Sequence, residues 1–169
     1  MTETLDPALP PRVQELAETV LDLAHDKRLK LATAESCTGG LLAALLTDVR
    51  GRGHVFERGF VVYSEEAKCD LLGLDRGMVE TCGAVSKPVA VAMAQGALRR
   101  SEAQVALSIT GFAGPAREED EEGLVHFACA RRDGETCHRE EHFGPIGRQG
   151  VRVAALGVAL EMIETALNG

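Results

Sequence analysis

Hydrophobic positions recur along the chain at two spacings, which predict helices and strands in turn. Apolar residues at helical spacing follow Pro11, whereas short apolar runs over 29–32, 59–63 and 103–109 are typical of strands. Helical patterns follow the first two runs, and another, over 84–100, precedes the third. The first helix has an apolar face made of Val13, Leu16, Ala17, Val20 and Ala24. Strands and helices therefore alternate, which is typical of an α/β protein.

The second half of the chain adds an antiparallel hairpin. Residues 124–130 and 136–143 are predicted strands, and they flank Asp133-Gly134, a dipeptide typical of tight hairpin turns. A long apolar pattern from 148 to 167 predicts the last helix. A hairpin next to strand–helix units predicts a mixed sheet.

One domain accounts for this pattern. The length of 169 residues is within the range of a single domain with a sizeable core. We predict that residues 11–169 form a single α/β domain, a three-layer sandwich with a mixed β-sheet and helices on both faces. Residues 1–10 are predicted to form a flexible N-terminal tail.

Polar side chains with catalytic potential follow three of the predicted strands. Ser36 follows the first strand, and Tyr63 and Lys68 follow the second. Thr110 and Gly111 open the loop after the third. Because ligands bind at the carboxyl ends of the strands in open α/β sheets, we expect a catalytic pocket at this edge.

The segment 33–40 joins the first strand to a helix and concentrates reactive groups at the helix start. Two hydroxyls, a thiol and two glycines follow one another there, on Ser36, Cys37, Thr38, Gly39 and Gly40. N–H groups at a helix start attract anions and developing oxyanions, and glycine lets a ligand approach the backbone. A capped helix with a glycine-lined turn is the structural alternative, and the residues alone leave both interpretations open.

Composition and charge argue against two classes of partner. The formal net charge is -8, aromatic residues make up 4% and Trp is absent, so we expect no nucleic acid partner. No apolar run reaches membrane-spanning length and the N-terminus lacks a signal-peptide pattern, so we expect no membrane partner. A small anionic ligand stays compatible with this composition, through local Arg, Lys or helix starts.

The five cysteines predict free thiols. Their number is odd and no pair has C-x-x-C spacing, which argues against a disulfide framework and a zinc knuckle. We therefore expect a cytoplasmic protein with reduced thiols. Cys37, beside Ser36, is a rival nucleophile, but it has no obvious histidine partner and free Cys is often a small buried hydrophobe.

The segment His138–His142 matches the H-x-x-E-H pattern of zinc peptidases. That chemistry needs a helix, whereas this segment follows a hairpin turn and is predicted to be a strand. At about 3.3 Å per residue the two histidines would be roughly 13 Å apart, too far to share one zinc ion. We expect solvent-facing histidines here, and neither metal nor cofactor.

Two charged features lie outside these motifs. The run from Arg117 to Glu122 is most simply a solvated loop. Arg148 precedes the last helix, where the helix dipole does not favour a cation, so a bound anion would explain it. An exposed arginine near a helix start is the alternative.

Taken together, these segments resemble the CinA C-terminal domain family, which includes nicotinamide mononucleotide amidases. The resemblance extends over roughly residues 12–167. The chain resembles the stand-alone type of the family, which lacks the nucleotide-hydrolysing domain that precedes this one in longer members. The matching stretches, in family order, are TAESCTGG (33–40), FERGFVVYSEEAKCDLLG (56–73), GAVS (83–86), ITGFAGP (109–115), GLVHFA (123–128) and FGPIGR (143–148).

The resemblance implies a serine amidohydrolase of the pyridine nucleotide cycle. Such an enzyme converts nicotinamide mononucleotide and water to nicotinate mononucleotide and ammonia, with no cofactor. By motif position, Ser36 is the implied nucleophile and Lys68 its base, with Tyr63 as the third catalytic residue. The implied substrate-binding residues are Thr38, Gly39 and Gly40, whose backbone would hold the oxyanion, Thr110 and Gly111, and Arg148 near the phosphate.

The chain departs from the family pattern after the third motif. Family members commonly carry a Gly-rich stretch and a Lys there, whereas this chain has the acidic sequence 116–122. The alternative function is therefore a catalytically impaired nucleotide-binding module of the same fold. The sequence leaves open whether the chain forms a homo-oligomer.

Overall fold

A single mixed sheet of five strands forms the middle of the molecule. The computed structural model describes residues 9–169, so most of the predicted tail at 1–10 lies outside the described residues. The strands are β1 (Leu31–Glu35), β2 (Phe56–Val61), β3 (Val105–Gly111), β4 (Leu124–Arg131) and β5 (Cys137–His142), in the sheet order β2-β1-β3-β4-β5. β1 pairs in parallel with β2 and β3, and β4 pairs antiparallel with β3 and β5. This confirms the predicted mixed sheet and hairpin.

Helices cover both faces of the sheet. Within residues 9–169 they are α1 (Pro11–Asp26), α2 (Leu41–Thr47), α3 (Glu65–Leu72), α4 (Arg76–Cys82), α5 (Lys87–Arg99) and α6 (Gly147–Asn168). α1, α2 and α6 share one hydrophobic cluster with the sheet, and α3, α4 and α5 share a second cluster on the other face. The predicted three-layer α/β sandwich is therefore confirmed. In the described part of the chain, no helix is both long and apolar enough to cross a bilayer.

The two faces of the sheet differ in side-chain size, as β3 shows. Leu107 and Ile109 pack with the cluster of α1 and α6, whereas Ala106 packs with that of α5. On the α5 side the Ser108 hydroxyl donates a hydrogen bond to the Ala90 carbonyl at 2.6 Å. Small residues on this face let α5 lie close to the strands. The turn before α5 is thereby held near the carboxyl ends of β1 and β3.

One helix and several element boundaries differ from the sequence predictions. α4 was not predicted, because Gly77 interrupts a short segment with few apolar positions. Asp75 caps this helix by accepting a hydrogen bond from the Met78 N–H at 2.8 Å, which is a usable sequence signal. The helix predicted over 84–100 begins only at Lys87. β3 continues to Gly111, so its predicted end at residue 109 was two residues early.

Candidate active site

A pocket of about 760 Å³ lies at the edge where β1, β2 and β3 end. Because these strands are parallel, their carboxyl ends meet at one edge of the sheet, where the sequence predicted a site. The volume is typical of small-ligand pockets. The lining consists of Cys37, residues 63–65, 82–85 and 111–117, Asp120 and Arg148.

Backbone hydrogen bonds continue past the strand ends and bring Ser36 towards the start of α3. The Ser36 N–H donates to the Ile109 carbonyl at 2.9 Å, and the Val62 N–H donates to the Glu35 carbonyl at 2.8 Å. Ser64 then caps α3, accepting a hydrogen bond from the Ala67 N–H at 3.0 Å. This cap starts α3 directly after the strand, so that Lys68, in its first turn, reaches back over the end of β1.

Lys68 and Ser36 are in direct contact, and neither lines the pocket itself, although Cys37 and Tyr63 next to them do. The Lys68 Nζ lies 3.0 Å from the Ser36 Oγ, 2.9 Å from the Val62 carbonyl oxygen and 3.3 Å from the Tyr63 carbonyl oxygen. Lys68 is 1% exposed and Ser36 is 7% exposed. The structure therefore brings together two residues that are 32 positions apart in the sequence.

Burial lowers the pKa of Lys68 from its ordinary value. In the neutral amine, two N–H groups can donate to the Val62 and Tyr63 carbonyls, which leaves the lone pair for the Ser36 hydroxyl proton. A lysine that is neutral near physiological pH and touches a serine hydroxyl can act as its general base. The contact is therefore suited to activation of a serine nucleophile.

The neighbouring thiol is poorly suited to the same role. Burial raises the pKa of Cys37 to about 12, so the thiol stays protonated at neutral pH. Cys37 also belongs to the hydrophobic cluster of α1, α2 and α6. These observations favour Ser36 over Cys37 as the nucleophile.

Glu35, which no motif of the sequence indicated, is a buried carboxylate next to Ser36. Its side chain accepts hydrogen bonds from the Thr38 hydroxyl at 2.6 Å, the Leu42 N–H at 3.0 Å and the Ala43 N–H at 2.8 Å. Glu35 thus satisfies the first N–H groups of α2, which were expected to face an anionic ligand. The sequence signal for such a buried carboxylate was an acidic residue at the end of the apolar strand 31–35.

We expect Glu35→Gln to destabilise the protein. The amide nitrogen cannot accept a hydrogen bond, so at least one buried donor loses its partner, at a cost of about 1–3 kcal/mol. Urea unfolding of the variant and the parent measures this difference. Glu18→Gln, at an exposed position on α1, is the matched control and should leave the midpoint unchanged. Equal midpoints for Glu35→Gln and Glu18→Gln would contradict this role.

The turn over residues 38–40 lies beside a second cleft, separate from the main pocket. Thr38, Gly39 and Gly40 line this cleft of about 300 Å³ together with Gln149 and Arg152. Gly39 and Gly40 have φ values of 62° and 97°, which L side chains rarely adopt. The sequence predicted that the whole turn lines the main pocket. The structure instead places residues 38–40 beside the second cleft.

Arg152, which no motif of the sequence indicated, also fixes this turn. Its Nε donates to the Cys37 carbonyl at 2.9 Å. The Gly39 N–H donates to the Ser36 carbonyl at 3.0 Å. The sequence signal for this role was a cationic residue placed between two valines in the apolar stretch 151–160 of α6. Ser36 thus belongs to a turn that is held by a carboxylate on one side and a guanidinium on the other.

Thr110 lies inside β3, not in the loop where the sequence placed it. Its hydroxyl donates to the Ala84 carbonyl at 2.7 Å, and the residue is fully buried. The hydroxyl therefore holds the turn before α5, which forms one wall of the pocket. Gly111, the next residue, does line the pocket. Tyr63 also lines it and is 64% exposed.

Arg148 lies at the mouth of the pocket, against the loop that follows β3. A Cβ atom on Gly114 would lie 2.4 Å from an Arg148 Nη atom, so the guanidinium occupies the space that a side chain would need here. Two residues of the acidic run, Arg117 and Asp120, line the same pocket. The run predicted to be a solvated loop therefore forms part of the pocket wall.

Comparisons with known proteins agree with these motifs. A family model described as the CinA C-terminal domain matches residues 13–167. The chain is 42% identical to a protein of Escherichia coli K12 named nicotinamide-nucleotide amidohydrolase PncC, over 89% of this chain and 92% of that one. It is 47% identical to a CinA-like protein of Akkermansia muciniphila over 76% of this chain. That match spans only 31% of the Akkermansia protein.

A solved structure has the same fold over its full length. The crystal structure of competence/damage inducible protein CihA from Agrobacterium tumefaciens matches with a TM-score of 0.91 at 43% sequence identity. The match covers 100% of both chains.

Proposed function

We propose that this chain, which belongs to the CinA C-terminal domain family, is an amidohydrolase that converts nicotinamide mononucleotide and water to nicotinate mononucleotide and ammonia. The observation that carries the proposal is the 3.0 Å contact between the Lys68 Nζ and the Ser36 Oγ, next to a pocket of nucleotide size. The similarity to a protein named nicotinamide-nucleotide amidohydrolase supports this substrate.

In the proposed first step, the Ser36 Oγ attacks the carboxamide carbon while neutral Lys68 takes the hydroxyl proton. The tetrahedral intermediate collapses, the C–N bond breaks and Lys68 returns the proton to the leaving ammonia. This leaves an ester between Ser36 and the nicotinoyl group. Water then attacks the ester with Lys68 as base, and nicotinate mononucleotide leaves as Ser36 regains its proton.

The developing oxyanion needs donors beside Ser36. The Gly39 N–H is occupied by the Ser36 carbonyl, and those of Leu42 and Ala43 are occupied by Glu35. We assign the oxyanion to the backbone N–H groups of Cys37 and Thr38, which follow the nucleophile directly. Glu35 and Arg152 fix this turn, so the donors are already oriented before substrate binds.

Ammonia release from nicotinamide mononucleotide by chelator-treated protein tests the proposal. Turnover that yields equal amounts of ammonia and nicotinate mononucleotide is the expected result. Folded protein at high concentration that releases no ammonia would overturn it. Tight nucleotide binding by calorimetry without release would instead select the impaired binding module, which the divergent sequence 116–122 in the pocket lining motivates.

We expect Arg148→Ala to weaken substrate binding. A charge-assisted hydrogen bond to a phosphate contributes roughly 1.5–3 kcal/mol, so affinity for the mononucleotide should fall about 10- to 150-fold. Calorimetry with Ser36→Ala as the background measures binding without turnover. Nicotinamide riboside, which lacks the phosphate, is the control ligand and should bind both proteins equally. A matching loss for the riboside would show that Arg148 holds the loop at Gly114 instead.

A further inference from the structure

A cluster of imidazole and carboxylate groups lies on the hairpin of β4 and β5, outside the pocket. His126 on β4 is directly opposite Glu140 on β5, and His138 is two residues before Glu140 on the same face. In the described part of the chain, these three residues form the one group of His, Cys, Asp or Glu side chains whose ligand atoms lie within 4.8 Å of one another. None of the three lines the pocket.

The distances in this cluster match those around a metal ion. The His126 Nδ1 lies 2.9 Å from the His138 Nε2 and 3.7 Å from a Glu140 carboxylate oxygen. Two bonds of about 2.0–2.1 Å at a tetrahedral angle place the ligand atoms about 3.3 Å apart. The observed distances lie on either side of this value, so small side-chain rotations are sufficient to enclose an ion.

The surroundings favour a cation. Burial lowers the pKa values of His126 and His138, so both rings are neutral at neutral pH and each has one unprotonated nitrogen. An ion would replace the hydrogen bond that joins the two facing nitrogens. The second Glu140 oxygen lies 2.8 Å from the His142 Nε2, and the His142 Nδ1 lies 2.6 Å from Glu121. Outer partners of this kind orient a ligating carboxylate.

We propose that His126, His138 and Glu140 form a binding site for a divalent transition-metal ion, with Zn²⁺ favoured by two imidazoles and one carboxylate. Three protein ligands leave a fourth position for water. The site uses His138 of the H-x-x-E-H segment, but its partner is His126 on the neighbouring strand rather than His142 on the same strand. His142 is exposed as expected, whereas His138 is only half-exposed and its ring stacks on His126 with centroids 5.2 Å apart.

Titration of the untagged, metal-free protein with Zn²⁺ tests the site. We expect one ion per chain by calorimetry and a higher melting temperature at saturating Zn²⁺, because the ion binds the folded state. His138→Ala and Glu140→Gln should each weaken binding more than about tenfold, the lower limit for loss of even an outer-shell partner. Both side chains lie near the surface, and circular dichroism checks that both variants fold.

The second histidine pair of the molecule provides a matched control. The His25 Nδ1 lies 2.9 Å from the His54 Nε2, but no third ligand atom completes a cluster there in the described residues. His25→Ala should leave Zn²⁺ affinity unchanged. Substituted Co²⁺ should give visible bands without thiolate charge transfer, which separates this site from the exposed Cys82 and Cys137.

Three results would overturn the metal site: no binding, binding unaffected by both His138→Ala and Glu140→Gln, or a thiolate charge-transfer band with Co²⁺. Chelator-treated and Zn²⁺-loaded protein should release ammonia at the same rate, because none of the three side chains hydrogen-bonds to Ser36 or Lys68 or lines the pocket. Failure of the metal site and failure of the proposed amidase are therefore distinguishable.

Discussion

Ser36→Ala is expected to abolish ammonia release while the protein stays folded. The change removes the oxygen that forms the ester, and losses of nucleophiles in serine hydrolases amount to roughly four or more orders of magnitude. Because Ser36 is only 7% exposed and its Oγ contacts the Lys68 Nζ, the variant also leaves the amine without that partner. Single-turnover release of ammonia, at enzyme in excess over nicotinamide mononucleotide, measures the loss.

Cys37→Ala is the matched control for this experiment. It changes the adjacent residue in the same turn, but the buried thiol has a pKa of about 12 and takes no part in the proposed reaction. We expect the Cys37 variant to keep its rate within about tenfold of the parent, since only a small buried group is lost. If Cys37→Ala removes activity and Ser36→Ala does not, the assignment of the nucleophile is wrong.

Local signals predicted that Ser36 and Lys68 lie at one edge of the sheet, whereas their pairing was implied by the family resemblance. The strand pattern at 59–63 and the Ser64 cap fix where α3 begins, and that position carries Lys68 back to the end of β1. Because β1 and β2 pair in parallel, their carboxyl ends lie at the same edge of the sheet, which brings Lys68 close to Ser36. Patterns of period two and 3.6 contain this information, since they specify both the element and its end.

Interactions between distant segments could not be anticipated in this way. Arg152 holds the Cys37 carbonyl across 115 positions, and His126 meets His138 only through the register of β4 and β5. The Asp133-Gly134 signal predicted that β4 and β5 pair but not which residues face each other, and no local pattern encodes the approach of α6 to the turn. The place of Thr110 inside β3 could not be predicted for the same reason, because it depends on pairing with His126 on β4.

Lys68→Met is expected to lower the rate of ammonia release by at least two orders of magnitude. Methionine keeps most of the volume of the buried side chain but cannot take the Ser36 proton, and general-base catalysis typically contributes about 10²–10⁴-fold. Affinity for nicotinamide mononucleotide, measured by calorimetry, should change little. Lys30→Met, at an exposed position before β1, is the control and should match the parent. A Lys68→Met rate within about tenfold of the parent would exclude Lys68 as the base.

The lowered pKa of Lys68 gives the same variant a second readout, in its dependence on pH. In the parent, kcat/KM should rise with pH through the Lys68 pKa, because only the neutral amine accepts the serine proton. Between this pKa and that of a free lysine, about 10.4, the unfolded chain binds a proton that the folded chain does not. Stability of the parent relative to Lys68→Met should therefore increase as pH rises through this interval and stay level below it. Parallel stability curves for the two proteins would mean that the amine is charged in the folded state and cannot serve as the base.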